Sequence, residues 1–344
     1  MAHLVLKSGT FGFCNYTLSC YNSNLTNLTI NNPKLTHIYC NNNQLVNLDI
    51  SNAPSLNSIE CNNNKLTDLI INNPNLEKII CKNNELSHLD ISKAPNLNSI
   101  ECENNKLTAL TINNPKLKTI ICENNELSHL DISNAPNLIS LKCENNALTN
   151  LTINNPKIEN ILCPDNELVN LDVSKAPNLV YLNCRKNKLI DLTIDNQRVE
   201  DIECSRNELS TLDISKAPNL IYIYCNNNKL TSLTINNPNL KYIYSSNNEL
   251  PTLNVSKVPN LKHLHCDGNK LTSLRIDNPS IEAVDCDKNE LASLDISQTP
   301  NLTVVRCNDN PINTLYVWWD GGRNNIPTQL FEFSVPKNVS LIKK

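Results

Sequence analysis

The sequence predicts an essentially all-β solenoid of stacked repeats, built on one long parallel sheet. Three observations predict it. An eleven-residue phrase returns fifteen times, anchored at Cys20, Cys40, Cys61, Cys81, Cys102, Cys122, Cys143, Cys163, Cys184, Cys204, Cys225, Ser245, Cys266, Cys286 and Cys307. The steps between anchors alternate between 20 and 21 residues without a slip, and a fixed period in that range marks units that stack on one another. Apolar residues alternate before each anchor, as in Leu35-x-x-Ile38-x-Cys40, which is the period of a strand with one buried face.

Taken in chain order, residues 1–14 read as an N-terminal cap, 15–317 as the array and 318–344 as a C-terminal cap. The first repeat is degenerate, with Asn15 in a leucine slot and Ser23 three residues past the anchor. Every later repeat has asparagine there, from Asn43 to Asn310. An asparagine at the point where the chain leaves the sheet can satisfy backbone groups that no strand partner reaches. Its neighbour one residue earlier, such as Asn145, is expected to face solvent and to tolerate replacement. A second extended stretch follows, Leu48-x-Ile50 or Leu89-x-Ile91, whose side chains fill the other wall of the core. Proline then fixes φ seven residues before the next anchor, at Pro33, Pro54, Pro74 and onward, with Gln197 the one exception. Each coil is too short for a helix of about 10–12 residues, so the convex side should be extended or 3-10. The two proline phrases alternate, Thr29–Pro33 against the one-residue-longer Asp49–Pro54, so the larger unit is a block of 41 residues. Ile312, Leu315 and Val317 keep the pattern before Trp318-Trp319-Asp320-Gly321-Gly322 interrupts it. Leu330, Phe331, Phe333 and Val335 are expected to lay a strand over the solenoid end, which would otherwise be an open sheet edge.

The repeat Leu97-x-x-Ile100-x-Cys102-x-x-Asn105-x-Leu107 resembles the leucine-rich repeat, with cysteine in the third apolar slot. The resemblance covers roughly residues 15–317. It implies a right-handed solenoid of the α/β-type repeat class whose concave sheet face binds another protein. The cysteine- and asparagine-rich vocabulary is most similar to the leucine repeats of host-associated bacteria, which implies an effector delivered into a host cell. The repeats lack the Leu-Pro-x-Leu-Pro phrase of the bacterial effectors that carry a ligase domain, and the residues after the array are too few for one.

Composition narrows the function. A net charge of −4 argues against binding nucleic acid by phosphate neutralisation. No apolar window approaches the length of a membrane span. The start, with Lys7 and only Leu4–Leu6 as an apolar run, does not read as a Sec-type signal peptide. The cysteines number fifteen. An odd count, in-register parallel strands and the lack of any Cys-x-x-Cys argue for reduced, buried thiols rather than disulfides or zinc. Cys14, off the ladder, reads as a cap residue. Reduced thiols favour a cytoplasmic location or a host cytosol. The Asn-x-Thr triplets, such as Asn27-Leu28-Thr29, recur because the repeat recurs. No nucleophile elbow, phosphate loop or metal motif appears, so no enzyme activity, cofactor or metal is expected, and the chain is read as a monomer.

The informative surface is the set of residues one and three before each anchor, which point out between buried neighbours. Most are small or charged, as in Ser58 and Glu60 or Asp201 and Glu203. Three consecutive repeats instead carry Tyr222 and Tyr224, Tyr242 and Tyr244, then His263 and His265, with Tyr181 two repeats upstream. Four of the nine tyrosines thus fall on two adjacent coils, and tyrosine supplies contact area with a polar handle at modest entropic cost. These seven residues are the expected protein-binding site. A weaker acidic band, Glu103, Glu123 and Glu144, lies one residue past successive anchors and suits a basic partner. The alternatives are a structural or surface-adhesion array without a specific partner, or the recognition module of a separate enzyme.

Overall fold

The computed structural model describes residues 2–7 and 16–344; Cys14 and Asn15 lie outside them. The chain divides into two compact units, Met1–Leu168 and Val169–Lys344. In the first, the principal sheet runs in parallel from Thr17–Ser19 through His37–Tyr39, Ser58–Glu60, Lys78–Ile80, Ser99–Glu101, Thr119–Ile121 and Ser140–Lys142 to Asn160–Leu162. The strands pair without slippage, for example Ser99↔Thr119 and Ile100↔Ile120. The second unit repeats this from Tyr181–Asn183 to Glu332–Ser334. Each strand is three residues long and, up to Val304–Arg306, its middle residue is buried, as at Ile38, Ile100, Leu182 and Ile243. The anchor residue then turns the same way into the core.

The convex side is extended, as expected. Short parallel pairs occur there, Asn47–Asp49 with Asp68–Ile70 and Thr211–Asp213 with Ser232–Thr234. Among the described residues the only helix is the 3-10 turn Arg323–Asn325. The strand Ala2–Lys7 pairs in parallel with Leu25–Asn31 on this side.

All fourteen ladder cysteines are buried and outside any disulfide. Cysteine suits the slot because it fills a small apolar site and its thiol can reach the next strand: Cys102 Sγ donates to Ile121 O at 3.5 Å and Cys286 Sγ to Arg306 O at 3.3 Å. Ser245 keeps that bond, Oγ to His265 O at 3.3 Å, and is fully buried.

The asparagine ladder works as expected. Asn125 Nδ2 donates to Cys102 O and Cys122 O, each at 3.1 Å, while its Oδ1 accepts from Leu107 N at 2.9 Å. One side chain thus ties two coils together, and the pattern recurs from Asn43 to Asn310. Two further ladders were not anticipated. The residue before each ladder asparagine sits in left-handed backbone, with φ of 57° at Asn42, 54° at Asn124 and 52° at Asn145, a region that asparagine tolerates better than most side chains. Their exposed amides bond in series, Asn63 to Asn42 at 2.7 Å and Asn145 to Asn124 at 2.8 Å. Asn145 does face solvent, as expected, but its amide is tied to the neighbouring coil and its backbone is left-handed. On the convex side the asparagine before proline in the shorter half-block is buried: Asn73 Nδ2 donates to Ile50 O at 2.9 Å and Ala53 O at 2.8 Å. These are carbonyls of the preceding, longer half. That half is bent by Asp49, whose Oδ1 accepts from Ser51 N at 2.9 Å. The 41-residue block is therefore a physical unit, because one half supplies the donor that the other half's bend requires.

At the C-terminal end, Glu332–Ser334 extends the principal sheet by pairing with Val304–Arg306. Trp319 is buried and meets Trp318 and Phe333 edge-on at 4.8 and 5.7 Å. Phe331, expected to help cover the end, is instead 85% exposed: it sits in the bend just before the strand Glu332–Ser334, while Leu330 beside it is buried.

Candidate functional site

The outward positions of the second unit's principal sheet form two columns. In one, the register runs Tyr181↔Asp201↔Tyr222↔Tyr242↔His263↔Ala283. In the other it runs Asn183↔Glu203↔Tyr224↔Tyr244↔His265↔Asp285. Strand spacing of about 4.8 Å matches the thickness of stacked rings, and the aromatics use it. Tyr222 lies on Tyr242 at 4.6 Å with 3° between planes, and Tyr224 on Tyr244 at 4.7 Å with 4°. His265 continues the second stack at 4.8 Å, while His263 closes the first edge-on at 5.0 Å. The rings are half-buried. Because their faces cover one another, they offer solvent a surface of ring edges and hydroxyls.

Six of the seven residues expected at the site are therefore in two adjoining ring stacks. Tyr181 is not; Asp201 separates it from Tyr222. Burial, and then the charge of Asp201, raises the Tyr181 hydroxyl pKa. Burial foremost, then Tyr244, pushes Tyr224 up to about 12. Burial lowers the His265 pKa despite Asp285 and Asp267 nearby, so His265 is neutral at pH 7. Asp201 is pushed up to about 6, first by burial and then by Glu203, and its Oδ1 is buried without a hydrogen-bond partner.

His265, Asp267 and Asp285 bring potential metal-ligand atoms within 4.8 Å of one another. Arg306 already supplies the positive charge there: its Nη1 lies 3.0 Å from Asp285 Oδ2, and it forks onto Glu332 at 2.6 Å. The acidic band of the first unit is likewise partly neutralised. Lys82 reaches Glu101 at 2.5 Å and Glu103 at 2.7 Å, and burial, more than any charge, raises the Glu123 carboxyl. His37 and Tyr39, a ring pair at 6.3 Å on the same outward columns of the first unit, were missed, although their spacing from Cys40 carried the signal. Among the described residues no helix is long and apolar enough to cross a membrane.

No family model matches the sequence, and no curated protein sequence does. Solved structures do. The functional domain of InlJ from Listeria monocytogenes, which includes a cysteine ladder, is 27% identical, over 93% of this chain and 72% of that one, with a TM-score of 0.73. YopM is similar in two forms. That of Yersinia enterocolitica is 25% identical, over 95% of this chain and 82% of its own, at a TM-score of 0.66. That of Yersinia pestis, a leucine-rich effector protein, is 27% identical, over 93% and 77%, at 0.51. The LRIM1/APL1C complex shares the fold at 16% identity, over 96% and 69%, with a TM-score of 0.74. The chain is thus a leucine-rich repeat solenoid in its cysteine- and asparagine-rich form.

Proposed function

We propose that this chain is a protein-interaction scaffold that takes its partner on the outward sheet face of residues 181–265, and that it acts as a bacterial effector in a host cell rather than as an enzyme. The observation that carries the binding reading is the pair of ring stacks, Tyr222–Tyr242–His263 and Tyr224–Tyr244–His265. Rings held against one another on paired strands lose little freedom when a partner docks, so contact area converts into affinity with a small ordering cost. The similarity to YopM and InlJ, and the assembly of LRIM1 with APL1C on the same fold, support an interaction module. Buried thiols outside any disulfide suit a reducing cytosol.

The test is affinity capture from a host-cell extract with the parent chain and with a variant carrying Tyr→Ala at positions 222, 224, 242 and 244, compared by quantitative mass spectrometry. Proteins retained by the parent and lost by the variant support the reading. Equal capture by both sinks the assignment of the site.

A further inference from the structure

We propose that the notch over Asp201 receives an arginine side chain of the protein partner, an inference that rests on the sheet face being the partner surface. Asp201 is short and stands between two tyrosines on adjacent strands, Tyr181 and Tyr222. Two strand spacings separate the backbone positions that carry these rings by about 9.6 Å. A planar guanidinium with van der Waals clearance on both faces needs about 7 Å, so the notch admits one with room to adjust. Tyr222 has one ring face covered by Tyr242; the other lies on the side of the Asp201 strand, where a cation can meet it.

The floor of the notch is acidic. Asp201 Oδ1 is buried without a hydrogen-bond partner, and Glu203 is two residues along the same strand, its Oε1 held by Ser205 N at 2.9 Å. Burial and the Glu203 charge both work against ionisation of Asp201, and among the described residues no basic side chain forms an ion pair with it. An arriving guanidinium supplies what is missing. It pairs with the carboxylate, offsets the repulsion from Glu203, and stacks its plane against the tyrosine walls. Arginine suits the slot better than lysine because the slot is flat-walled and the guanidinium is planar with several donors. The acidic backbone of a nucleic acid would meet repulsion at the same place.

The intact chain, labelled with 13C in its tyrosine rings, is titrated with N-acetyl-Gly-Arg-Gly amide and with the same peptide carrying citrulline, which keeps the shape and removes the charge. Saturable shifts of the Tyr181 and Tyr222 signals are expected with the arginine peptide at up to about 10 mM. Binding should be at least about tenfold weaker for citrulline, and again for Asp201→Asn, whose fold is checked by circular dichroism. No saturable shift at those two rings, equal binding of citrulline, or undiminished binding by Asp201→Asn would each overturn the inference. Loss of the notch with tyrosine-dependent capture intact would leave the wider face standing. Arginine binding at the notch alongside tyrosine-independent capture would do the reverse.

Discussion

Asn145 donates its side-chain amide to Asn124 Oδ1 at 2.8 Å, and both residues hold left-handed backbone, at φ 52° and 54°. This exposed pair is part of a chain of asparagines along the first unit, one residue ahead of the buried ladder. Replacing Asn145 by alanine should destabilise the protein by about 1–2 kcal/mol, because alanine resists this backbone region. Replacement by glycine should recover most of that loss. Replacing Asn125 by alanine orphans buried groups on two coils and should cost about 1–3 kcal/mol. Denaturant unfolding of the three variants checks this; an Asn145→Ala variant as stable as the parent would contradict it.

The ladder thiols should be inert in the native state. Burial pushes Cys122, Cys163 and Cys225 up to about 12, so no thiolate is present near pH 8 to attack a disulfide reagent. Labelling followed by mass mapping should leave all fourteen ladder cysteines unmodified before denaturation and modify all of them afterwards. Several of them mapping as disulfides in fresh protein would contradict both this and the reading of a reducing compartment.

Asp201 should weaken the fold at neutral pH. Its carboxyl is pushed up to about 6 in the folded chain from an ordinary aspartate value of about 3.9, mainly through burial and then through Glu203. The native state holds the proton more tightly, so stability falls as pH rises from about 4 to about 6 and stays lower above. The groups facing it are Glu203 on its own strand and Tyr181, Tyr222 and Tyr224 on the neighbouring ones. Asp201→Asn should therefore raise stability at pH 7 by at most about 1 kcal/mol, since solvent screens a half-exposed group, and give no gain near pH 3.5. Thermal melts at the two pH values check the sign; a destabilised variant at pH 7 would contradict it.

What the sequence made legible follows from what a repeat exposes. Columns such as the anchor cysteines and Asn43 to Asn310 recur at one spacing, and stacking turns that spacing into register, so the sheet, the extended back and the ladder could all be read. The second-order consequences of stacking could not. Asn145 looked like a surface residue because its exposure follows from alternation, whereas its left-handed φ follows from the turn. Asn73 was visible only as part of a proline phrase, and its donors are matched to carbonyls one repeat away. The tyrosine and histidine columns were legible as neighbours. Their face-to-face order, and the isolation of Tyr181 behind Asp201, depend on ring planes and side-chain lengths that no spacing encodes.

The central claim is that the ring stacks are the partner surface, and Tyr242 tests it most directly because it lies between Tyr222 and His263. The measurement is the dissociation constant of the captured partner for the parent chain and for Tyr242→Ala, with unfolding followed in parallel. The account predicts about thirtyfold weaker binding, as for a central hot spot. It also predicts a stability loss of only about 1 kcal/mol from the broken stack. Unchanged affinity in a folded Tyr242→Ala variant would contradict it and move the site elsewhere.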